Sequence, residues 1–355
     1  MKIKSVIGLL FLALMSTVLA SATGFNPCVV GGVLLAASFI CRHTEGVLAM
    51  AVTVEIWESD ILANLFKNND FAKRAYNADQ YVLSGKVVHI PRAGNPSSVT
   101  KNLTTFPATA VKRADSDVTY SIDTFYSTPR QIEKIEEYEL SYDKRQSAVG
   151  EDQLAMIDTA MDGLLYNWCP GVLNTVMTDG AVVPATLGGA TGNRLSVTKL
   201  SLQKIKIAMD KAKISPLGRI VLFTADHYNQ FFNSLSEGEK TNFNNVANLA
   251  TGVVGKYLGF EIMMRSTVGR YRGADAAYVK VDEYDPAFAA SNQTSDRAAS
   301  LVYHEQSAER AFGSVEMFDR ANDPLYYGDV FSFILRMGGR IRRDAGVYAI
   351  VEAIA

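Results

Sequence analysis

The side chains best suited to metal chemistry are scattered along this sequence. Its histidines occur singly, at His43, His89, His227 and His304. None of them has the H-x-x-x-H or H-x-x-E spacing that would bring two zinc ligands together. The sequence therefore predicts no metal site.

Serine nucleophiles and paired carboxylates give no stronger signal. The sequence has no G-x-S-x-G turn, the motif with which many hydrolases present a serine. Asp282, Glu283 and Asp285 form an acidic cluster, and Glu305 and Glu309 stand four residues apart. Nothing apolar nearby argues for a raised carboxyl pKa, so we interpret both groups as solvated faces or salt bridges between subunits. We expect no enzymatic activity and no cofactor.

A glycine-rich stretch, Asp179–Asn193, invites comparison with phosphate-binding loops. Its glycines are Gly180, Gly188, Gly189 and Gly192. The stretch has neither the G-x-x-x-x-G-K-[ST] motif nor the G-x-G-x-x-G spacing with a later acidic residue. We therefore interpret it as a flexible surface loop.

Length, charge and cysteine content narrow the class of protein. A chain of 355 residues predicts two packed subdomains with extensions. The 35 basic and 37 acidic residues give a net charge of −2, which argues against a sequence-specific reader of nucleic acid. Cys28, Cys41 and Cys169 lack metal-ligand spacing and are too few for a disulfide scaffold. We expect Cys169, beside Trp168 and Pro170, to be a small buried apolar residue.

The first 50 residues form an apolar leader with the pattern of a secretory signal. Two lysines precede an apolar run from Val6 to Leu19, and Ala20–Ala22 fits a cleavage site. A second apolar run, Cys28–Cys41, is too short to span a bilayer alone. Three interpretations stay open. In the first, Met50 is the true start of the protein. In the second, the segment is a prosequence that is removed during maturation. In the third, it is a retained apolar arm.

The next part of the chain predicts a short helix and a long hairpin. Apolar spacing that includes Trp57 and Phe66 predicts an amphipathic helix over Val54–Asn68, packed on its own domain or on a neighbour. Gly85–Pro91 predicts one strand, and the two-residue period of Val118–Tyr126 predicts another. Such a hairpin is only marginally stable alone, so we expect it to lie on another surface.

Helical and strand patterns alternate through the rest of the chain. Glu133–Tyr142 alternates like a strand, and Glu151–Trp168 carries one apolar helical face. Further on, the patterns predict a helix over Leu202–Ala212, a strand over Arg219–Phe223, a helix capped by Thr224 that runs to Leu235, and a strand over Phe260–Met264. The strand after Pro324 alternates so that Phe331, Phe333 and Leu335 should pack on Ile157, Met161, Leu164 and Trp168 of the helix.

Motifs in the last third carry a resemblance to a known family. Gly255-Lys-Tyr-Leu-Gly-Phe260 is followed by Pro324-Leu-Tyr-Tyr-Gly-Asp329-Val and the strand pattern Phe331–Arg343. In this order, after a hairpin and a long helix, they resemble the closing half of tailed-bacteriophage major capsid proteins with the Hong Kong 97-like fold. The resemblance covers about Ala51 to Glu352, and the apolar leader departs from it.

The resemblance implies an α+β fold with a defined organisation, the Hong Kong 97-like capsid fold. After the leader (1–50) would come an N-terminal arm (51–84) and an extended β-hairpin loop (85–126). Residues 127–180 and 308–355 would form a peripheral domain with a long spine helix. Residues 181–307 would form an axial α/β domain.

The resemblance also implies a function and its partners. The chain would be a structural subunit of an icosahedral phage head, a homo-oligomer of hexamers and pentamers that encloses double-stranded DNA. It would assemble in the host cytoplasm, reside in the virion, contact DNA non-specifically, use portal, scaffold or cement proteins, and need no membrane. Candidate subunit contacts are Trp57, Phe66, Lys86, Lys101, Lys112 and Arg336.

Two other functions stay open on the sequence alone. An encapsulin-type bacterial compartment would share the fold. A secreted or membrane-tethered binding protein rests only on residues 1–22.

Overall fold

The computed structural model describes residues 69–83, 87–92, 101–102, 112, 116–133, 144–244, 252–274 and 277–355. Within these ranges the chain mixes helices with many strands, as an α+β fold does. The helices are α1 (Asp70–Lys73), α2 (Lys144–Trp168), α3 (Lys199–Lys211), α4 (Ala225–Asn233) and α5 (Glu237–Asn244).

The strands fall into two large sheets, a small three-stranded sheet and a short hairpin. In chain order they are β1 (Tyr76–Asn77), β2 (Val82–Leu83), β3 (Val87–Arg92), β4 (Ser116–Ser121), β5 (Asp123–Tyr126), β6 (Arg130–Glu133), β7 (Thr175–Met177), β8 (Val182–Pro184), β9 (Asn193–Leu195), β10 (Arg219–Thr224), β11 (Gly255–Tyr257), β12 (Phe260–Arg265), β13 (Gly269–Ala274), β14 (Ala277–Lys280), β15 (Asp296–His304), β16 (Ala308–Asp323), β17 (Gly328–Ile341) and β18 (Val347–Val351).

The first sheet is built on the long antiparallel pair β16–β17, and α2 packs against β17. Its order is β1-β16-β17-β5, with β6 beside the first part of β17. The alternate side chains Phe331, Phe333 and Leu335 are buried, as are the predicted helix positions Ile157, Met161, Leu164 and Trp168. The predicted helix and the predicted inward face of the strand are both confirmed, and α2 begins at Lys144, earlier than predicted.

A glycine allows α2 to approach this sheet closely. A Cβ added at Gly339 of β17 would collide with the carbonyl oxygen of Glu309 and lie 2.5 Å from Leu164 Cδ1. In the space left by the missing side chain, Trp168 Nε1 donates to the Glu309 carbonyl at 2.9 Å. Residue 339 therefore fixes the distance between helix and sheet.

The second sheet has the order β11-β12-β10-β15-β13-β14, and β18 and β7 extend it from β15. Every residue of β10 and β15 is buried. Buried side chains from α3, α4 and α5, such as Met209, Phe231 and Phe243, form one core with Phe223 of β10. Thr224 Oγ1 accepts from the His227 backbone N–H at 3.2 Å, which confirms the predicted cap of α4.

Two segments that the resemblance placed in the peripheral domain pair in this second sheet. Val347–Val351 is antiparallel to β15, and Thr175–Met177 is parallel to Val347–Val351. The apolar side chains of β18 enter the same interior as those of β15, because Val347, Ile350 and Val351 are fully buried.

The predicted hairpin over residues 85–126 is confirmed at its base. Strands β3 and β4 pair antiparallel, from Val87 with Ser121 to Arg92 with Ser116, and β2 pairs with the other edge of β3. The base packs on its own chain, since Val88, Ile90 and Ile122 share a buried cluster with Ala311. Most of the predicted tip lies outside the described residues.

The prediction of one continuous strand over Val118–Tyr126 is wrong. The chain changes sheets at Ile122, so β4 pairs with β3 while β5 pairs with β17. Ile122 turns inward at this point, where Gly338 leaves space for it; a Cβ at Gly338 would lie 3.0 Å from Ile122 Cγ2. Long-range packing thus interrupts a regular two-residue period.

The prediction of a flexible surface loop over Asp179–Asn193 is confirmed in part, because every residue of the stretch is exposed or half-buried, but the stretch is not only a loop. The stretch contains β8, which pairs with β9 as a short antiparallel hairpin. The buried Arg194 guanidinium donates to four carbonyl oxygens, those of Thr191, Asn193, Thr294 and Asp296. The glycines shape a hairpin that an arginine beyond the stretch holds in place.

Two other predicted elements lie largely outside the described residues. The helix over Val54–Asn68 does so entirely. The strand over Glu133–Tyr142 is described only at Glu133, the last residue of β6.

Candidate functional site

A Ser–His–Glu cluster is the described arrangement closest to catalytic machinery. His227 Nδ1 lies 2.7 Å from Ser300 Oγ, and His227 Nε2 lies 3.2 Å from Glu352 Oε1. His227 sits in the first turn of α4, Ser300 in the middle of β15, and Glu352 directly after β18. The sequence did not predict the cluster, because its members are far apart along the chain.

The cluster is closed to any substrate. His227 and Ser300 are 0% exposed and Glu352 is 1% exposed. Two backbone groups occupy the remaining polar atoms: Thr224 N–H donates to Ser300 Oγ at 3.3 Å, and Ala298 N–H donates to Glu352 Oε2 at 3.3 Å. Acyl transfer needs a nucleophile within reach of the substrate. This cluster instead ties α4 to β15 and to the segment after β18.

A second buried cluster surrounds Asp296 at the start of β15. Arg270 Nη1 and Arg272 Nη2 donate to its carboxylate at 3.1 and 2.9 Å. Both guanidinium groups lie over the Phe288 ring, 4.8 and 5.5 Å from its centroid. The cluster holds the chain between β14 and β15 against β13.

This second cluster explains part of the predicted acidic group. Glu283 Oε1 accepts from Arg270 Nε at 2.8 Å, so its ion pair lies within the chain. Asp282 and Asp285 accept from the backbone N–H groups of Tyr284 and Ala287, the pattern of Asx turns.

The interpretation of Glu309 as a solvated carboxylate is wrong. Its side chain is fully buried and pairs with Arg340 Nε at 2.8 Å. Residue 309 belongs to β16 and faces inward, whereas Glu305 lies in the preceding turn and pairs with Arg74 at 2.6 Å. Burial, followed by the nearby Glu309 charge, raises the pKa of Tyr120, whose ring lies against Arg340. The Glu309–Arg340 ion pair joins β16 to β17, and the Tyr120 ring connects β4 to the same arginine.

Cys169 is buried, as predicted. Burial raises the pKa of its thiol to about 11, so at neutral pH it stays protonated. No group of three His, Cys, Asp or Glu side chains is placed to hold a metal in the part of the chain that the structure describes. The described ranges also contain no helix that is long and apolar enough to cross a membrane.

The predicted subunit contacts are only partly visible. Trp57, Phe66 and Lys86 lie outside the described residues. Lys101 and Lys112 are exposed. Arg336 lies on the face of the first sheet opposite α2, where its Nη1 is 3.7 Å from Glu316 Oε1 on β16.

One exposed apolar segment among the described residues was not among the predicted contacts. Leu325, Tyr326 and Tyr327 form the turn between β16 and β17, and all three are exposed. Turns usually carry small or polar residues. Three large side chains next to Pro324 are therefore unusual for a turn, and this feature is visible in the sequence.

The comparison with solved structures supports one fold. No protein-family model matches the chain, and no curated protein matches it in sequence. Among solved structures, the chain is similar to the capsid of Ralstonia phage GP4, with 12% identity and a TM-score of 0.54 over 79% of this chain and 87% of that one. The capsid of a native GTA particle matches with 8% identity and a TM-score of 0.52, over 81% and 90%.

A third similar structure is the capsid of Cyanophage P-SCSP1u, with 17% identity and a TM-score of 0.50 over 78% of this chain and 86% of that one. The described mixture of few helices and many strands fits the folds of these capsid structures. The resemblance inferred from the sequence is thus confirmed at the level of the fold, and the chain has the α+β fold of these capsid proteins.

Proposed function

We propose that the chain is the structural subunit of an icosahedral head of a tailed phage. Copies assemble into hexamers and pentamers that enclose the double-stranded DNA genome. The observation that carries this proposal is the likeness to phage capsid structures over 79% of the chain.

Exposed apolar side chains support a protein that works as an assembly. Leu173 is 99% exposed and Leu217 is 81% exposed, in addition to the turn at Leu325–Tyr327. Single exposed leucines are common on protein surfaces, but three consecutive large side chains, as at Leu325–Tyr327, are typical of a site of contact. Copies of the same chain would cover them in a shell.

The proposed organisation is Hong Kong 97-like. We assign α2 as the spine helix, the first sheet as the main part of the peripheral domain, and β3–β4 as the base of the extended loop. The second sheet with α3, α4 and α5 would form the axial domain, to which β7 and β18 then belong.

The proposed contacts between copies are Trp57, Phe66, Lys86, Lys101, Lys112 and Arg336. The exposure of Lys101 and Lys112 supports a place for the loop tip on a neighbouring copy. Portal, scaffold or cement proteins and non-specific contact with packaged DNA complete the proposal, with assembly in the host cytoplasm and a final place in the virion.

Electron microscopy of the expressed full chain tests the proposed function. We expect closed shells of uniform size. Arg336→Ala should give folded but unassembled subunits, because the residue lies on an outer sheet face. Lys206→Ala is the matched control, since it also removes one partner of a surface ion pair, with Asp210, and should assemble. A wild-type chain that stays monomeric at high concentration would overturn the proposal.

A further inference from the structure

The chain passes between the two large sheets at two turns that lie side by side. Residues 305–307 connect β15 to β16, and residues 342–346 connect β17 to β18. The Ser307 carbonyl oxygen accepts from the backbone N–H groups of Arg342 and Arg343, at 2.7 and 3.2 Å. We call these two turns the crossing. Among the described strands, none of the first sheet pairs with one of the second. A few residues at the ends of elements are the usual form of a hinge.

A short segment lies across the crossing and contacts both sheets. We call it the strap (residues 69–79); it contains α1 and β1. On the side of the first sheet, β1 runs parallel to β16 and pairs with it. The Ala78 N–H donates to the Arg310 carbonyl oxygen at 2.8 Å, and Asp79 Oδ1 accepts from the Phe312 N–H at 2.8 Å. Hydrogen bonds to the backbone of β16 therefore attach the strap to the first sheet.

An aromatic contact attaches the strap to the second sheet. The edge of the Phe71 ring meets Trp168 at the end of α2, with 6.1 Å between the ring centroids. Trp168 in turn lies 5.3 Å from the ring of Tyr303 on β15. The Tyr303 hydroxyl donates to the Phe71 carbonyl oxygen at 2.7 Å. All three side chains are buried, so this contact excludes water from the place where the strap, α2 and β15 meet.

Arg74 adds a charged attachment to the second sheet. Its Nη2 lies 2.6 Å from Glu261 Oε2 on β12, and its Nε lies 2.6 Å from Glu305 Oε1 in the crossing. Lys256 Nζ lies 2.7 Å from the other carboxylate oxygen of Glu261. The guanidinium and both carboxylates are partly exposed, so water can hydrate these charges when the pairs separate.

The two attachments of the strap differ in kind. Release from the first sheet would break a strand pairing, whereas release from the second would withdraw one ring and one guanidinium. The strap should therefore stay with the first sheet when it separates from the second. The end of α2 also meets the second sheet, because Asp162 pairs with Arg265 of β12. Phe71 supports this contact too, since its ring centroid lies 5.8 Å from the Arg265 guanidinium.

We propose that the strap is a conformational latch between the two sheets. While Phe71 and Arg74 are in place, the sheets keep one relative orientation. When they are withdrawn, the second sheet turns about the crossing, within the range that the contact of α2 with β12 allows. This inference goes beyond the proposed function, because it concerns movement within one chain and not the contacts between copies.

Distances between spin labels on the two sheets test the latch. The full chain carries Cys28→Ser and Cys41→Ser, with labels at Phe318→Cys on β16 and Val279→Cys on β14. Both labelled positions are exposed, and the remaining Cys169 is buried. The labelled chain is diluted into an excess of the unlabelled wild-type chain. Each measured distance then lies within one chain, whether or not the copies assemble.

We expect one narrow distance distribution in the chain with an intact strap. Arg74→Ala should broaden this distribution, because both ion pairs with Glu261 and Glu305 are lost. Lys73→Ala is the matched control, since this neighbouring residue forms its ion pair with Asp70 inside the strap, and it should leave the distribution unchanged. A distribution as narrow in Arg74→Ala as in the control would overturn the inference.

Glu305→Gln gives a decision even if Arg74→Ala fails to fold. It removes one partner of Arg74 from the crossing and leaves the strap itself unaltered, so it should broaden the distribution less than Arg74→Ala does. Glu237→Gln, which changes a strongly exposed carboxylate on α5, is its control. An unchanged distribution in Glu305→Gln, together with a narrow or unmeasurable one in Arg74→Ala, would overturn the latch. Electron microscopy of the wild-type chain decides the proposed function separately.

Discussion

At the scale of single residues, burial decides what Ser300, His227 and Glu352 do. The same residue types at similar distances form a nucleophile and its base in hydrolases, where the serine contacts Nε2 and the carboxylate contacts Nδ1. In this cluster the two ring nitrogens are exchanged. Here Ser300 lies on a strand of which every residue is buried, and backbone N–H groups occupy the polar atoms that a substrate would need. The hydrogen bonds of the cluster therefore contribute to stability.

We predict that Ser300→Ala weakens the fold without affecting any activity. The change leaves the His227 ring nitrogen and the Thr224 N–H without their partner inside the protein. An unsatisfied buried polar group costs about 1–3 kcal/mol. Urea unfolding measures this loss in the free energy of unfolding, and the exposed Ser215→Ala provides the control.

A fluorophosphonate probe gives an independent test of the same residue. We expect no label on Ser300 in the folded protein, because the probe cannot reach a side chain that is 0% exposed. A Ser300 peptide that carries the label would show that the cluster opens and acts as a nucleophilic site.

Single residues also show what the sequence can predict. Burial of Cys169 followed from its neighbours Trp168 and Pro170, since all three end a helix with an apolar face. Burial of Glu309 did not follow, because its partner Arg340 lies on another strand and acidic side chains are seldom buried. The sequence gives residue types, but such pairs form only when strands are brought together.

At the scale of elements, β17 shows how a two-residue period buries alternate side chains, and this burial stabilises the fold. We predict that Phe333→Ala costs about 3–5 kcal/mol, because it leaves a cavity where β17 faces α2. Insoluble subunits are the expected result. Phe318→Ala is the matched control, since this residue lies on the adjacent strand β16, is 49% exposed and should cost much less. Soluble, assembly-competent Phe333→Ala protein would show that the inward face has been assigned incorrectly.

The start of α5 predicts a stability that depends on pH. Ser236 and Glu239 form a capping box, in which Ser236 N–H and Oγ donate to Glu239 Oε2 at 2.8 and 2.9 Å. The Ser236 backbone N–H, then its hydroxyl and Lys199, lower the pKa of Glu239 from 4.5 to about 2. Folding therefore favours the ionised carboxylate, and its contribution is present above pH 4.5 and is lost as the pH falls towards 2.

Glu239→Gln should accordingly lower the melting temperature at pH 7. The difference from the wild type should shrink between pH 4.5 and pH 2, because the wild-type carboxyl becomes protonated there. Thermal unfolding followed by circular dichroism across this range measures it. Glu237→Gln, in the same helical turn but largely exposed, should show little difference at any pH. A difference that does not change with pH would contradict the assigned role of Glu239.

Elements with a long, clear period were the most predictable. Helix α2, strand β10 and the cap at Thr224 followed from local spacing. The division of Val118–Tyr126 at Ile122 did not, because a buried cluster with Ala311 competes with strand continuity. The β8–β9 hairpin did not either, since Arg194 orders it through carbonyl oxygens distant in sequence.

At the scale of the whole molecule, long-range pairing determines which segments belong together. Strand β18 follows β17 in the chain but pairs with β15 in the other sheet. No local pattern in Val347–Val351 distinguishes the two sheets, so the sequence could predict a strand but not its neighbour.

The extended hairpin provides the prediction for the whole molecule. Its base has its own support, because Val88 and Ile90 are buried against Ala311 and other residues of the same chain. The outer part of the hairpin, residues 97–116, has no such support in the sequence, since a two-stranded extension is only marginally stable alone. We therefore predict that deletion of Ser97–Ser116 leaves the subunit folded and removes its ability to form stable shells.

Circular dichroism and electron microscopy measure the two parts of this prediction separately. The deleted chain should keep the spectrum and the melting temperature of the intact subunit, because the buried base remains. Shells should be absent or should break at a lower temperature, because a contact between copies is lost. The control is a chain in which residues 97–116 are scrambled at the same length. It separates the effect of the sequence of this segment from the effect of its length. Intact particles of normal heat resistance from the deleted chain would show that the hairpin tip does not join the subunits.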